Sequence, residues 1–370
     1  MAEQRRICIR LEDENWFRSA RQEWSDLLAR SSANPLFMSW DWQYRWWLAF
    51  GLPGDLILIT ARDATGRLHG LAPMLMRQSR ARRLRRAAQL APIGSVWRLG
   101  RGEVTEHLDW IVADDLAAHT MTAIGDQIEH NLAWDEILLA YASTDSYAVR
   151  ALELIAAHQG CYVRRERPIV HYAIDTTESF DRFLATLGTN TRQRLFGRRT
   201  LLEQLGTVRL ERADAQNFHV QLDKLDALSR KRWGQGLAPT SRSFLSDTVL
   251  AMLDDGRACL STLEIDDRPI SSQLDVEASG IIYNIRSAID TEFHRRLSPG
   301  LLHLGYLIQS ACKRPDICRY SLLAGGGKHS DYKREIASIT GQFVSMQLVR
   351  RGHEKLLYRL WGSTAGRHDI

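Results

Sequence analysis

A chain of 370 residues with 44% hydrophobic and 25% charged residues has an ordinary globular composition and is long enough for two packed domains or one large one. Its 49 basic and 44 acidic residues leave a formal charge of +5, which favours acidic ligands but falls short of the dense basic footprint of a dedicated nucleic-acid binder. No run approaches the roughly 18 apolar residues of a spanning helix, and MAEQRRICIRLEDENWF lacks the apolar segment of a signal peptide; a cytoplasmic protein is expected, with a peripheral contact to the inner face of the membrane left open. Five scattered cysteines, Cys8, Cys161, Cys259, Cys312 and Cys318, read as reduced core residues.

In chain order, RICIRLED reads as a strand and Trp16 to Ser31 as an amphipathic helix, followed by a loop at Asn34-Pro35 and a Trp-rich helix from about Trp40 to Phe50. In that helix Trp40, Tyr44 and Trp47 fall at i, i+4 and i+7, while Trp42 and Trp46 form a second face. One face packs on a core. The other either packs likewise, lines an acceptor pocket, or rests at a lipid interface, where Trp and Arg are favoured. Strands follow at DLILITARD, RLHGLAPMLMR and TEHLDWIVAD. Six arginines lie between Arg77 and Arg86, as a solvated loop or edge strand or as a patch for anionic lipid headgroups, where each basic residue contributes about 1 kcal/mol. A helix after Asp114, the strand WDEILLAY, a helix from Ser146 to Gln159 and the strand CYVRRER complete an alternating α/β unit.

A second unit begins at IVHYAIDT, which puts the boundary near 167. It continues through a basic helix from Asn190 to Leu205, the strand TVRLERA, and helices from Ala215 to Trp233 and Ser241 to Asp254. The basic helix presents a solvated face, or serves a phosphate, an acidic acceptor or a membrane. ACLSTLEIDDRPISSQLDVEASGIIYNIRSAI then reads as three strands joined by tight turns, and RYSLLAGG and QFVSMQLVRR as further strands before a short terminal helix.

Between the third of those strands and RYSLLAGG lies the most informative stretch, a basic turn followed by Ser298-Pro299-Gly300 and a long apolar helix. Pro299 lacks an N–H where one matters least, Ser298 is placed to cap, and Gly300 lets a ligand approach the backbone. Free amides at such a start, with Arg295 and Arg296 beside them, suit a phosphate or pyrophosphate; the plain alternative is a surface turn and helix cap.

The spacing Arg295, Ser298, Gly300 resembles the coenzyme-A pyrophosphate loop of GNAT-type N-acyltransferases, Q/R-x-x-G-x-G/A, with Ser in place of the first glycine. Together with NPLFMSWDWQYRWW from Asn34, KRWGQG from Lys231 and YKRE from Tyr332, it makes most of the chain resemble the CelD/BcsL-type acyltransferases, relatives of the FemX-like double-GNAT transferases. The resemblance implies an α/β fold of mixed sheets with two GNAT-like acyltransferase domains packed side by side, 1–167 and 168–370, the second holding acyl-CoA as co-substrate. It implies transfer of an acyl group to an amine of envelope metabolism, either an amino sugar of an exopolysaccharide or a long-chain sphingoid-type amine giving a ceramide. Aminoacyl transfer from tRNA, as FemX-like enzymes perform, and a non-catalytic GNAT-like binding module are the alternatives.

On this reading Arg295, Arg296, Leu297, Ser298 and Gly300 bind the pyrophosphate, with the helix dipole behind them. An N-acyltransferase needs a base for the amine, a donor to the thioester carbonyl and an acid for the leaving thiolate. Asp275 and His294 are candidate bases and Tyr332 the candidate acid; Trp42, Trp46, Tyr283 and Lys333 are candidates for the acceptor, Lys333 through the resemblance alone. Each stands beside an ordinary hydrogen-bonded, packed or solvated role.

Other chemistries find little support. AGGGKHSDYK is no P-loop, since Leu322 stands five before Gly327 and His329 follows Lys328; a glycine loop closing over an acceptor suits it better. Cys312 and Cys318 lack a CxxC partner, no HExxH occurs, and there is no G-x-S-x-G elbow, so neither a metal site nor a serine hydrolase is expected. No cysteine sits in an activating context, which favours direct transfer over an acyl-enzyme.

Overall fold

The computed structural model describes residues 7–82, 85–99, 102–325 and 331–350, with the side chains of 79–86 set aside. Most of the arginine run's side chains, residues 326–330 of the glycine loop and the expected terminal helix therefore lie outside the described residues. The chain divides into two units, Met1–Pro168 with Gln342–Ile370, and Ile169–Gly341. No helix among the described residues is long and apolar enough to cross a membrane.

The first unit runs β1 (Cys8–Glu12), α1 (Glu14–Ser19), α2 (Arg21–Leu28), α3 (Trp40–Phe50), β2 (Leu56–Arg62), β3 (Leu68–Arg82), β4 (Arg85–Pro92), β5 (Ile111–Val112), α4 (Ala117–Asn131), β6 (Glu136–Ser143), α5 (Tyr147–His158) and β7 (Tyr162–Arg165). Strands β1 to β4 pair antiparallel in sequence order, and β4 lies parallel to β6. The helix expected over 16–31 is two, broken at Ala20, and the first is capped by Asp13, whose Oδ1 accepts the Trp16 amide at 2.9 Å. The strand expected at TEHLDWIVAD shrinks to Ile111–Val112, because His107 takes φ 54° and turns the backbone out of the extended region.

The second unit runs β8 (Ile169–Asp175), α6 (Phe180–Thr186), α7 (Thr189–Arg192), a π-helical turn (Gln193–Gly197), α8 (Arg199–Glu203), β9 (Val208–Arg212), α9 (Phe218–Trp233), α10 (Pro239–Leu253), β10 (Ala258–Ile265), β11 (Arg268–Ala278), β12 (Ile281–Ile289), α11 (Pro299–Ala311), β13 (Arg319–Ala324) and α12 (Asp331–Ile336). Its strands are ordered β8-β13-β12-β11-β10-β9. All neighbours are antiparallel except β12 and β13, which α11 joins as a parallel pair. The turns are tight because residues at positive φ close them, Asp266 and Asp267 between β10 and β11, Ser279 and Gly280 between β11 and β12. A last strand, β14 (Ile339–Val349), pairs from Phe343 onward with β6 and from Met346 onward with β7.

Helix α11 organises the second unit's core. Leu301, Leu304, Leu307 and Ile308 join Phe180, Phe183, Leu184 and Leu195, while Leu302 joins Leu202, Leu263 and Ile270. Gly305 makes the closest approach: a Cβ there would lie 2.2 Å from the Leu195 backbone oxygen. The single basic helix expected over 190–205 is interrupted at that contact, where Arg198 N donates to Gln193 O (3.0 Å), a five-residue step characteristic of a π-turn. Of the cysteines expected in a core, Cys8 and Cys318 are exposed, while Cys161, Cys259 and Cys312 are partly buried, Cys312 against the α11 core; all five are free thiols.

Candidate functional site

The parallel pair β12–β13 is registered only over Ile281 with Arg319, Ile282 with Tyr320 and Tyr283 with Ser321. Just beyond, the β11–β12 register steps from Asp275 opposite Asn284 to Leu274 opposite Arg286, leaving Ile285 as an extra residue on β12. Such a bulge bends its strand, and with the pairing to β13 lost the second half of β12 borders a gap. The chain leaves β12 there and re-enters α11 beside it. A cleft of about 660 Å³ opens at this point, walled by Gln273, Ser287 and Ile289 of the strands, residues 297–301 and Leu304 of the helix start, and Asp331, Tyr332 and Glu335 of α12. Arg194 of the π-turn and Arg232 and Trp233 at the end of α9 complete it.

At the floor, Pro299 occupies the first turn of α11, so the amides of Gly300 and Leu301 have no intrahelical acceptor, the ordinary state of a helix start; the Leu302 amide is the first to bond back, to Ser298 O at 3.0 Å. Ser298 makes no side-chain cap bond, contrary to expectation, because its φ −121° and ψ 84° depart from the usual N-cap geometry. The Leu297 amide is spent on His294 O (3.0 Å) and its side chain is buried, so it is a packing residue as well as part of the wall. Arg295 and Arg296 are exposed and outside the cleft wall, and His294 turns Nδ1 to the Arg296 amide at 3.2 Å. Positive charge in the wall comes instead from Arg194, which pairs with Glu335 at 3.3 Å, and from Arg232, which stacks over Trp233 at 4.4 Å. Arg232 has no ion pair among the described residues.

Tyr332 packs against the α11 core, and burial pushes its hydroxyl above the usual range, so it stays a neutral donor at physiological pH. Lys333 donates to the Ala324 carbonyl at 2.5 Å, tying α12 to the end of β13. Glu335 accepts from Thr191 Oγ1 at 3.1 Å as well as from Arg194, and is the cleft carboxylate held on two sides.

Asp275 is reached only from below. It is 5% exposed, accepts from Asn284 Nδ2 at 2.8 Å and Tyr320 Oη at 2.7 Å, and lines a separate cavity of about 100 Å³ with Cys259, Arg212 and Arg314. Burial raises its carboxyl to about 6, against the lowering effect of those two donors and of Arg212. The Cys259 thiol beside it is pushed up to about 11, also by burial, which keeps it protonated and unfit as a nucleophile. Tyr283 is buried on β12 at 1% exposure and lines neither cavity. Trp42 and Trp46 are core residues of the first unit, 2% and 0% exposed, with indole N–H groups given to Thr105 Oγ1 (3.0 Å) and Glu103 O (2.9 Å). Three potential metal ligands, Asp126, Glu129 and His130, meet on α4 of the first unit, with Glu129 already bonded to Gln159 at 2.8 Å.

The structure thus gathers Leu297, Ser298, Gly300 and Tyr332 at one cleft, and leaves Asp275, Tyr283, His294, Arg295, Arg296, Trp42, Trp46 and Lys333 off its wall. Arg194, Arg232, Trp233, Gln273 and Glu335 were not singled out from sequence, although Arg232 stands in KRWGQG and Glu335 in YKRE. Those two short motifs carried the signal.

Residues 189–334, which hold every residue of the cleft wall except Glu335, match the profile of an acetyltransferase (GNAT) domain. Among solved structures the chain is similar to FemX, at 12% identity and a TM-score of 0.59 over 92% of this chain and 98% of that one. It is similar to a conserved protein of unknown function from Bacteroides thetaiotaomicron (11%, TM-score 0.56, covering 92% and 100%). A third likeness is to the C-terminal domain of a putative lysylphosphatidylglycerol synthetase from Agrobacterium fabrum (10%, TM-score 0.52, covering 96% and 100%). Comparison with curated protein sequences returns no match. The mixed α/β fold is GNAT-like, and the likenesses at this identity speak to the fold.

Proposed function

We propose, from the premise that residues 189–334 form a GNAT-type acyltransferase domain, that the protein is an N-acyltransferase using acyl-CoA as co-substrate. The observation that carries the reading is the cleft itself, which begins where β12 and β13 separate and ends on the unpaired first-turn amides of α11. The donor set fits an anionic arm: the amides of Gly300 and Leu301, the positive end of the helix, and the guanidinium of Arg232. Acyl-CoA supplies the activated thioester. The chain's own part is to hold the pyrophosphate, exclude water with Trp233 and Leu304, and move protons. The acceptor amine attacks the thioester carbon, its proton passes to Glu335, the C–S bond breaks, and the Tyr332 hydroxyl protonates the departing thiolate; Tyr332 then regains a proton from solvent as Glu335 releases its own, which restores both groups. Transfer is direct, in keeping with the protonated Cys259. Resemblance to the CelD/BcsL group supports an acceptor from envelope metabolism, an amino sugar or a long-chain sphingoid-type amine, and a protein working in the cytoplasm or at the inner face of the membrane.

Calorimetric titration with acyl-CoAs of several chain lengths tests this reading. Saturable binding is expected, weakened about 10- to 100-fold by Arg232→Ala through loss of a charge-assisted contact. No binding at any chain length would overturn it. The likeness to FemX and to the putative lysylphosphatidylglycerol synthetase domain supports a second reading, aminoacyl transfer from tRNA, which a tRNA gel shift separates from the first.

A further inference from the structure

We infer that Asp275 is a positioning residue, acting through Asn284 and Gln273 to fix the first turn of α11 as the floor of the cleft; as a statement about co-substrate binding this rests on the reading above. The chain of contacts is continuous. Gln273 Nε2 donates to Gly300 O at 3.0 Å, Asn284 Nδ2 donates to Gln273 Oε1 at 3.0 Å and to Asp275 Oδ1 at 2.8 Å, and Tyr320 Oη donates to Asp275 Oδ2 at 2.7 Å.

Each link dictates the next. A backbone carbonyl only accepts, so Gln273 presents its NH₂ to Gly300 and its oxygen to Asn284. Asn284 then presents its own NH₂, whose second hydrogen needs an acceptor. Asp275 is that acceptor. With an apolar residue at 275 or 284, Gln273 loses what holds its amide in this sense, and an amide turned by half a rotation would set two oxygens, its own and that of Gly300, against each other. Gln273 and Asp275 point to the same side of β11, under α11, and Gln273 is 2% exposed while forming part of the cleft wall. The relay therefore runs from the small cavity beneath the helix to the cleft at its start. Gly300 is the helix residue it reaches, and the amide of Gly300 is one of the two proposed to meet the pyrophosphate.

The test combines coenzyme A titration with hydrogen exchange of the peptide spanning Ser298 to Tyr306, on the full chain. Asp275→Leu and Asn284→Leu are expected to weaken coenzyme A about tenfold and to speed exchange at that peptide, one hydrogen bond's worth in each case. Asp275→Asn keeps an acceptor toward Asn284 and is expected to restore both. Gln273→Leu is expected to absorb the effect, so that adding Asp275→Leu to it changes neither readout further. Additive losses, failure of Asp275→Asn to restore, or unchanged exchange in Asn284→Leu would overturn the relay. If Asp275→Leu does not fold, Asn284→Leu and Gln273→Leu carry the same comparison. A wild-type protein that binds no coenzyme A would sink the functional reading, and the exchange data would still decide the relay.

Discussion

Gly300 and Gly305 sit five residues apart on α11 and meet obstacles of different kinds. A Cβ at 300 would lie 2.8 Å from Ile289 Cγ2, a side-chain methyl that has to yield slightly, whereas at 305 it would lie 2.2 Å from a backbone oxygen, where the main chain itself has to move. Gly305→Ala is expected to cost about 2–3 kcal/mol in urea unfolding and Gly300→Ala about 1 kcal/mol or less. Gly300→Val would disturb the packing against Ile289 as well as the approach of a pyrophosphate, so Gly300→Ala is the sharper binding probe. Trp46 poses a similar choice between roles. Fully buried and bonded through its indole, it is expected to cost about 3–5 kcal/mol when replaced by Ala. A loss of turnover from Trp46→Phe with no change in stability would instead mark an acceptor contact.

Beyond the contact of Leu202 with Leu302, helix α8 is tied to α11 by a polar side chain. Arg199 lies 3.6 Å over the Tyr306 ring and 4.5 Å from Phe196, and its Nη1 donates to Gln309 Oε1 at 2.7 Å. Lysine cannot stack as a plane while bonding sideways, so Arg199→Lys is expected to lower stability by about 1 kcal/mol, measured by denaturant midpoint. What was legible from sequence at this scale follows from periodicity and punctuation. The α3 helix, the three-strand meander β10–β12 and the Ser-Pro-Gly start of α11 all announce themselves through alternation, tight-turn residues or a proline at the first helical position. The short helices α6 and α12 and the π-turn do not, because five to seven residues give too little periodicity to read. The polar relay was invisible for another reason: Gln273, Asp275 and Asn284 look like any polar residues on strands, and only the β11–β12 register brings them together.

At the scale of the molecule, two buried groups shifted in opposite directions shape stability against pH. Asp275 is raised in the folded state to about 6 from an ordinary 3.8, so the fold gains from it in acid and loses that gain as pH rises through 6. Asp275→Asn removes the loss, and is expected to be more stable than wild type by up to about 3 kcal/mol at pH 8 and no more stable at pH 4. The comparison is made with Arg212, Cys259, Glu277, Arg314 and Tyr320 unchanged around it, since these face the same cavity. His303 works in the other direction. Buried between Ser261 (2.9 Å) and Ser271 (3.1 Å), it is lowered to about 3 by desolvation, so stability falls as pH drops below 6.5. His303→Gln is expected to flatten that acid limb in thermal melts. Neither residue advertises this in sequence, where a histidine in an apolar helix and an aspartate in a strand are simply exceptions to a pattern. The pairing of β14 with β6 and β7 is equally unreadable, being a contact between residues some 200 apart.

The π-turn at Gln193–Gly197 has a consequence of phase. Relative to an uninterrupted α-helix it inserts one residue, which rotates everything after it by about 100° around the axis. That offset lets Arg194 face the cleft beside Glu335 while Arg199, a little over one turn later, lies flat on Tyr306. Taking one residue out of the turn would relax it into regular helix and swing one of the two arginines away from its partner.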